Sequence, residues 1–234
     1  VVVVAQTFTL TNSTDTNSAI TFSAPRVYTP GGNDRVNSLQ DEDSLTGLGD
    51  SATLAAILGE PNDAAGAVIT PELNNISTVN VTFAASNTAM TLNMQDSVGT
   101  ETINVSRISG GQIATVDDML ATTTALSVSN TNAQGVAHLL YQDSQLDGAQ
   151  EVTVTLDDAD LATLLVGSTA ATPTEGIETL NITASGALAA VTSLDNLADN
   201  VGATNQNINI DAAVDLTITG FTDDAEISAI TVTG

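Results

Sequence analysis

Residues 178–183 read Glu-Thr-Leu-Asn-Ile-Thr, and the same alternation returns along the chain. It recurs as Ser77-Thr-Val-Asn-Val-Thr82, Glu101-Thr-Ile-Asn-Val-Ser106, Ala125-Leu-Ser-Val-Ser129 and Glu151-Val-Thr-Val-Thr155. It closes with Gln206-Asn-Ile-Asn-Ile-Asp211 and Ser228-Ala-Ile-Thr-Val-Thr233. Each unit alternates an aliphatic residue with Asn, Thr or Ser, which is the period of two of a strand with one buried face. The starts at 77, 101, 125, 151, 178, 206 and 228 lie 24, 24, 26, 27, 28 and 22 residues apart. An antiparallel β-sandwich spaces its strands at roughly 8–12 residues. Intervals about twice as long suit a parallel β-solenoid (β-helix), whose coils stack at ~4.8 Å and accept insertions at their corners. An all-β solenoid with irregular corners is therefore the expected fold, and antiparallel β-sandwich domains are the alternative.

Stacking makes the pattern specific. Ile103, Val105, Leu180, Ile182, Ile208 and Ile210 are expected to form an inner aliphatic ladder. Asn104, Asn181 and Asn209 are expected to form an amide ladder outside it, hydrogen-bonded along the axis. An extra strand, Asp215-Leu-Thr-Ile-Thr219, falls inside the last interval, and short strands are expected at Thr7–Leu10 and Ile20–Ser23. Three Ala/Leu-rich stretches, 51–58, 156–165 and 187–197, are read as short helical insertions. The first has Ser51 as N-cap and Gly59 at its C-terminal end. Two regions follow. Residues 1–75 form an irregular β-rich entry segment with an acidic, Gly-rich loop, and residues 76–234 form the solenoid. The chain reads as an internal portion of a longer protein, with no signal peptide and no apolar run long enough to span a membrane.

Composition narrows the function. Among 234 residues there are 28 carboxylates, three arginines and no lysine, for a formal net charge of -25. Such a chain repels phosphate backbones, so no nucleic-acid partner is expected. It has no cysteine and a single histidine, His138, which removes thiolate metal sites, Cys nucleophiles and three-histidine zinc centres. His138 sits in the apolar run Gly135–Tyr141 and reads as structural. Glycosidase chemistry needs paired carboxyls across a cleft. The four Phe and two Tyr are spread too thinly to line one. No enzyme is expected. An acidic, lysine-free surface suits an extracellular setting, where salt screens like charges.

The carboxylates come in clusters, and calcium takes six to eight hard oxygens from such turns. Three clusters are candidate calcium ligands. The first is Asp34, Asp41, Asp43 and Asp50 in the Gly-rich loop. The second is Asp157, Asp158 and Asp160. The third is Asp223, Asp224 and Glu226. A solvated acidic face is the plain alternative for each. The sequons at Asn12, Asn75, Asn80, Asn104 and Asn181 follow from Asn/Thr alternation without requiring a glycan.

The segment Gly176-Ile-Glu-Thr-Leu-Asn-Ile-Thr183 resembles the recurrent G-I-E-T-L-N-V-T strand of bacterial surface-layer (S-layer) proteins. It looks like those exported by type I secretion and associated with RTX modules. The 100–106 strand and the opening Thr7–Asp15 are similar, and Asp43–Asp50 looks like a worn D-x-L-x-G-G-x-G-x-D turn. No complete G-G-x-G-x-D run is present, so the calcium roll of RTX repeats carries over to no residue here. The resemblance implies a structural subunit of a two-dimensional homo-oligomeric array on the bacterial cell surface, assembled with Ca²⁺. It also implies anchoring to lipopolysaccharide or a cell-wall polymer through parts outside this chain. Large extracellular adhesins share these motifs, so an adhesin or fibril module binding another cell or a glycan is the second expectation.

Overall fold

A computed structural model describes residues 6–29, 31–32, 35–59, 67–84, 89–131, 134–170, 176–195, 206–222 and 227–233. They form a parallel β-solenoid. Its first face runs through β1 (Thr7–Thr9), β3 (Thr21–Ala24), β7 (Thr53–Leu58), β10 (Thr78–Phe83), β12 (Thr102–Ser106) and β14 (Ala125–Ser129). It continues into the front halves of β16 (Glu151–Ser168) and β17 (Thr179–Asp195), then β18 (Gln206–Ala212) and β20 (Ile227–Thr233). The second face stacks β8 (Ala67–Ile69), β11 (Ala89–Asn93), β13 (Ile113–Met119) and β15 (Gly135–Tyr141). It is completed by the rear halves of β16 and β17 and by β19 (Leu216–Thr222). A short third face holds β2 (Thr16–Ala19), β6 (Ser44–Gly47) and β9 (Glu72–Asn74). Every one of these pairings is parallel, which excludes the sandwich.

The stack crosses residue 76 without a break, because β7 pairs in register with β10. β4 (Arg26–Tyr28) and β5 (Arg35–Asn37) make an antiparallel hairpin that leaves the stack between β3 and β6. The one helical element among the described residues is a 3₁₀ turn at Asp143–Gln145. No described helix is long and apolar enough to cross a membrane.

The inner columns follow from the alternation. Phe22, Leu54, Val79, Ile103, Leu126, Val154, Ile182 and Ile210 align rung on rung and are buried. Val81, Val105, Val128 and Leu156 form the column beside it. Each such side chain contributes roughly 1.5–3 kcal/mol on leaving water. The stack thus builds a core from aliphatics, with Phe8 and Phe22 meeting edge-on near its start.

Outside, hydroxyls and amides link successive coils. Asn104 Nδ2 donates to Asn80 Oδ1 at 2.8 Å, and Ser127 Oγ donates to Asn104 Oδ1 at 2.7 Å. Asn209 Nδ2 donates to Asn181 Oδ1 at 2.9 Å. The expected single amide ladder is therefore two ladders. Asn104 leads through Ser127 to Thr155, whereas Asn181 stacks on Thr153, one outward position away.

The helical insertions are corrected to strands. Residues 53–58 are β7, with Leu54, Ala56 and Leu58 inward at a period of two. Residues 156–165 and 187–195 belong to β16 and β17, and 196–197 lie outside the described residues. Ala and Leu have high helix propensity, but a neighbouring coil supplies hydrogen-bond partners and an apolar seat that outweigh it.

Candidate functional site

A coil turning from one face to the next exposes backbone N–H groups that no strand satisfies, and these need acceptors. The sequence places short acidic side chains there. Asp43 is buried, and its Oδ1 and Oδ2 accept from the N–H groups of Asp15 at 2.8 Å and Gln40 at 2.9 Å. Asp15 accepts from the Thr11 N–H at 2.7 Å, and Asp41 from the Thr70 N–H at 2.8 Å. Burial pushes the Asp43 carboxyl above the usual aspartate value, against the two N–H groups that pull it down. These side chains clamp corners of adjacent coils.

The same logic governs the second cluster. Register aligns Arg107, Asn130, Asp158 and Gly186, each the residue after the paired rungs Ser106, Ser129, Asp157 and Ser185. All four are left-handed, with φ of 62°, 51°, 51° and 79°. The chain therefore turns by one conformation repeated over four coils. At the third rung Asp158 Oδ1 accepts from the Ala187 N–H at 2.6 Å and the Leu188 N–H at 3.3 Å. Asp157 accepts from Ser185 Oγ at 3.3 Å. Asp160 meets Thr131 through its backbone, in both directions.

Asp41, Glu42, Asp43, Glu72 and Asp96 line one open groove of about 490 Å³, together with Thr70, Gln95 and Val98. Asn74 and Ser44 hydrogen bonds hold the Glu72 carboxyl below the usual glutamate value. Asp50 lies exposed on the turn after β6, apart from this lining. Among the described residues no three carboxylates converge to hold one metal ion. Asp34, Asp223, Asp224 and Glu226 lie outside the described residues. Asp41, Asp43 and Asp158 spend carboxylate oxygens on backbone N–H groups.

Sequence reasoning passed over Asp15, Glu72 and Asp96. Asp15 comes beside Asp43 through the register, since β2, β6 and β9 pair at a constant offset. His138 lies on β15 facing away from the core, half-buried, and burial pushes its imidazole below the usual histidine value. Neither a family model, nor a curated protein, nor a solved structure matches the chain.

Proposed function

We propose that the chain is a rigid structural unit of an extracellular protein lattice coating a bacterial cell, assembled with calcium. One observation carries this reading. Inner aliphatic columns and outer hydroxyl and amide ladders run in register from coil to coil, which makes a rod stabilised along its axis without disulfides. The motifs of residues 100–106 and 176–183 support the surface-layer assignment by resemblance. A charge of -25 on every copy opposes close contact, and screening acts only beyond ~8–10 Å. Calcium bridging carboxylates from two copies relieves that repulsion. Asp41, Glu42 and Asp96, exposed on one groove, are the described carboxylates that such bridging would use.

Electron microscopy of the native cell surface tests the function. A periodic sheet is expected, and isolated stalks or fibrils would favour the adhesin. Light scattering on the full-length protein tests the cation. Chelation is expected to release soluble subunits, and Ca²⁺ to restore the array better than Mg²⁺ at equal ionic strength. An array that survives complete calcium removal overturns that part.

A further inference from the structure

Two of the three arginines, Arg26 and Arg35, lie on the β4–β5 hairpin with the aromatic Tyr28. Two arginines against one aspartate, Asp34, make residues 26–37 net positive in a strongly negative chain. The two arginines play different parts. Arg26 sits at the base, where its guanidinium lies against Gly59, and Asn37 across from it accepts the Gly59 N–H at 2.9 Å. Those contacts root the hairpin on the end of β7. Arg35 and Tyr28 are directly paired at the outer end, with the guanidinium 5.6 Å from the ring centroid. Arg35 is exposed, and Tyr28 keeps 62% of its surface in water. Large aromatics and arginine dominate the energy of protein contacts, and a cation over a ring forms a flat, pre-ordered unit.

We propose that this hairpin is a docking arm, and that its partner is the carboxylate-bearing flank of a second copy, around Glu42, Glu72 and Asp96. Charge complementarity selects that occupant. The flank lines an open groove with five carboxylates and no cation, so it matches the arm in sign. Arm and flank are separate residue sets that adjoin at a groove lined by Val36, Asn37, Asp41 and Glu42, so a reciprocal contact closes a dimer and a one-way contact propagates from copy to copy. The inference rests on the self-assembly proposed above but not on calcium. The arm supplies positive charge from the protein itself.

The test is sedimentation of the purified chain at moderate ionic strength in chelator, where short soluble oligomers rather than the array are expected, with the parent and four variants compared. Arg35→Glu is expected to weaken self-association about tenfold, and Glu42→Arg with Asp96→Arg to weaken it similarly. Combining the three substitutions is expected to restore it, which a fold defect or an unrelated contact would not do. Tyr28→Ala, with unchanged β-sheet circular dichroism, is expected to weaken it as well. Association that ignores Arg35→Glu, or fails to return in the combined variant, overturns the arm and leaves the lattice standing. Association that appears only with Ca²⁺ overturns the arm and supports calcium bridging. No association with or without Ca²⁺ overturns both.

Discussion

Gly186→Ala tests the corner that repeats through Arg107, Asn130, Asp158 and Gly186. A Cβ at residue 186 would meet Asp157 Oδ1 at 2.6 Å and Asp158 Oδ1 at 2.7 Å, closer than real Cβ contacts run. The backbone there has φ +79°. Two costs follow. Holding an L-residue in the left-handed region costs about 1–2 kcal/mol. Displacing the Asp158 carboxylate from the Ala187 and Leu188 N–H groups costs about another 1–2 kcal/mol, reduced from a buried case by exposure. A loss of about 3 kcal/mol in total is expected, as a lower urea midpoint. Because coils couple mainly to their neighbours, the sharper readout is local. Hydrogen exchange at Ala187 and Leu188 should accelerate well before exchange at β10 or β12. Asn130→Gly is the control on a rung of the same conformation, expected within about 0.5 kcal/mol of the parent. A Gly186→Ala protein that unfolds with the parent and keeps those two amides protected refutes the account of the corner.

Further outcomes follow from the same structure. Burial, and then the neighbouring Asp118 charge, raise the Asp117 carboxyl above its ordinary value of 3.8. Its contribution to stability is therefore fullest below 3.8 and is lost as pH rises through the raised value. Asp117→Asn should stabilise the fold at neutral pH, with the gain vanishing below 3.8 in urea titrations across that range. Tyr141 is buried and its hydroxyl donates to the Thr123 carbonyl at 2.6 Å. Tyr141→Phe should cost about 1–2 kcal/mol by leaving that acceptor unpaired, measured by thermal unfolding.

The first face was legible from β10 onward because its inner rungs there are mostly Ile, Val and Leu at strict alternation, whereas β7 on the same face read as a helix. The second face was not. Its inner positions include Met90, Ala114, Met119 and Ala137, which carry weak strand signals, and a register shift between Val116 and Met119 breaks the period of two. Its offsets nonetheless match those of the first face, since Ala89 pairs with Ile113 and Ile113 with Val136. The helical readings failed for a related reason. Propensity is a property of the segment, whereas the partner that keeps 156–165 extended comes from β15 and β17. The acidic clusters were legible as clusters, but the backbone contacts of Asp41, Asp43 and Asp158 were not. That Asp41, Asp43 and Asp158 clamp backbone N–H groups depends on which coil lies beside them, and spacing alone leaves that open. Asp15 escaped notice because it stands alone in the sequence and meets Asp43 only in the stack.

Stacking also explains where the charge sits. An outward residue in the middle of a face lies about 4.8 Å from its copies on the next coils. A like-charged column there would cost about 1 kcal/mol per pair even in water, and more near a low-dielectric surface. Outward positions in the middle of β10, β12 and β14 are accordingly hydroxyls and amides, such as Asn80, Asn104 and Ser127. Thr82 and Ser106 hydroxyls meet at 3.0 Å, and Thr183 donates to Thr155 at 2.9 Å. Glu151 is tolerated at the start of β16, where the Asn181 amide donates to it at 2.8 Å. Acidic residues gather instead at the corners, where unpaired N–H groups receive them and the coils splay. The formal charge of -25 therefore divides in two. One part is held by the backbone and belongs to the fold. The other, including Glu42 and Asp96, faces solvent on the flank. Substitutions in the first part should register in unfolding, and those in the second in assembly. Asp158→Asn and Glu42→Gln, compared in both assays, should fall on opposite sides of that division. A pair that behaved alike would mean that corner and flank share one role.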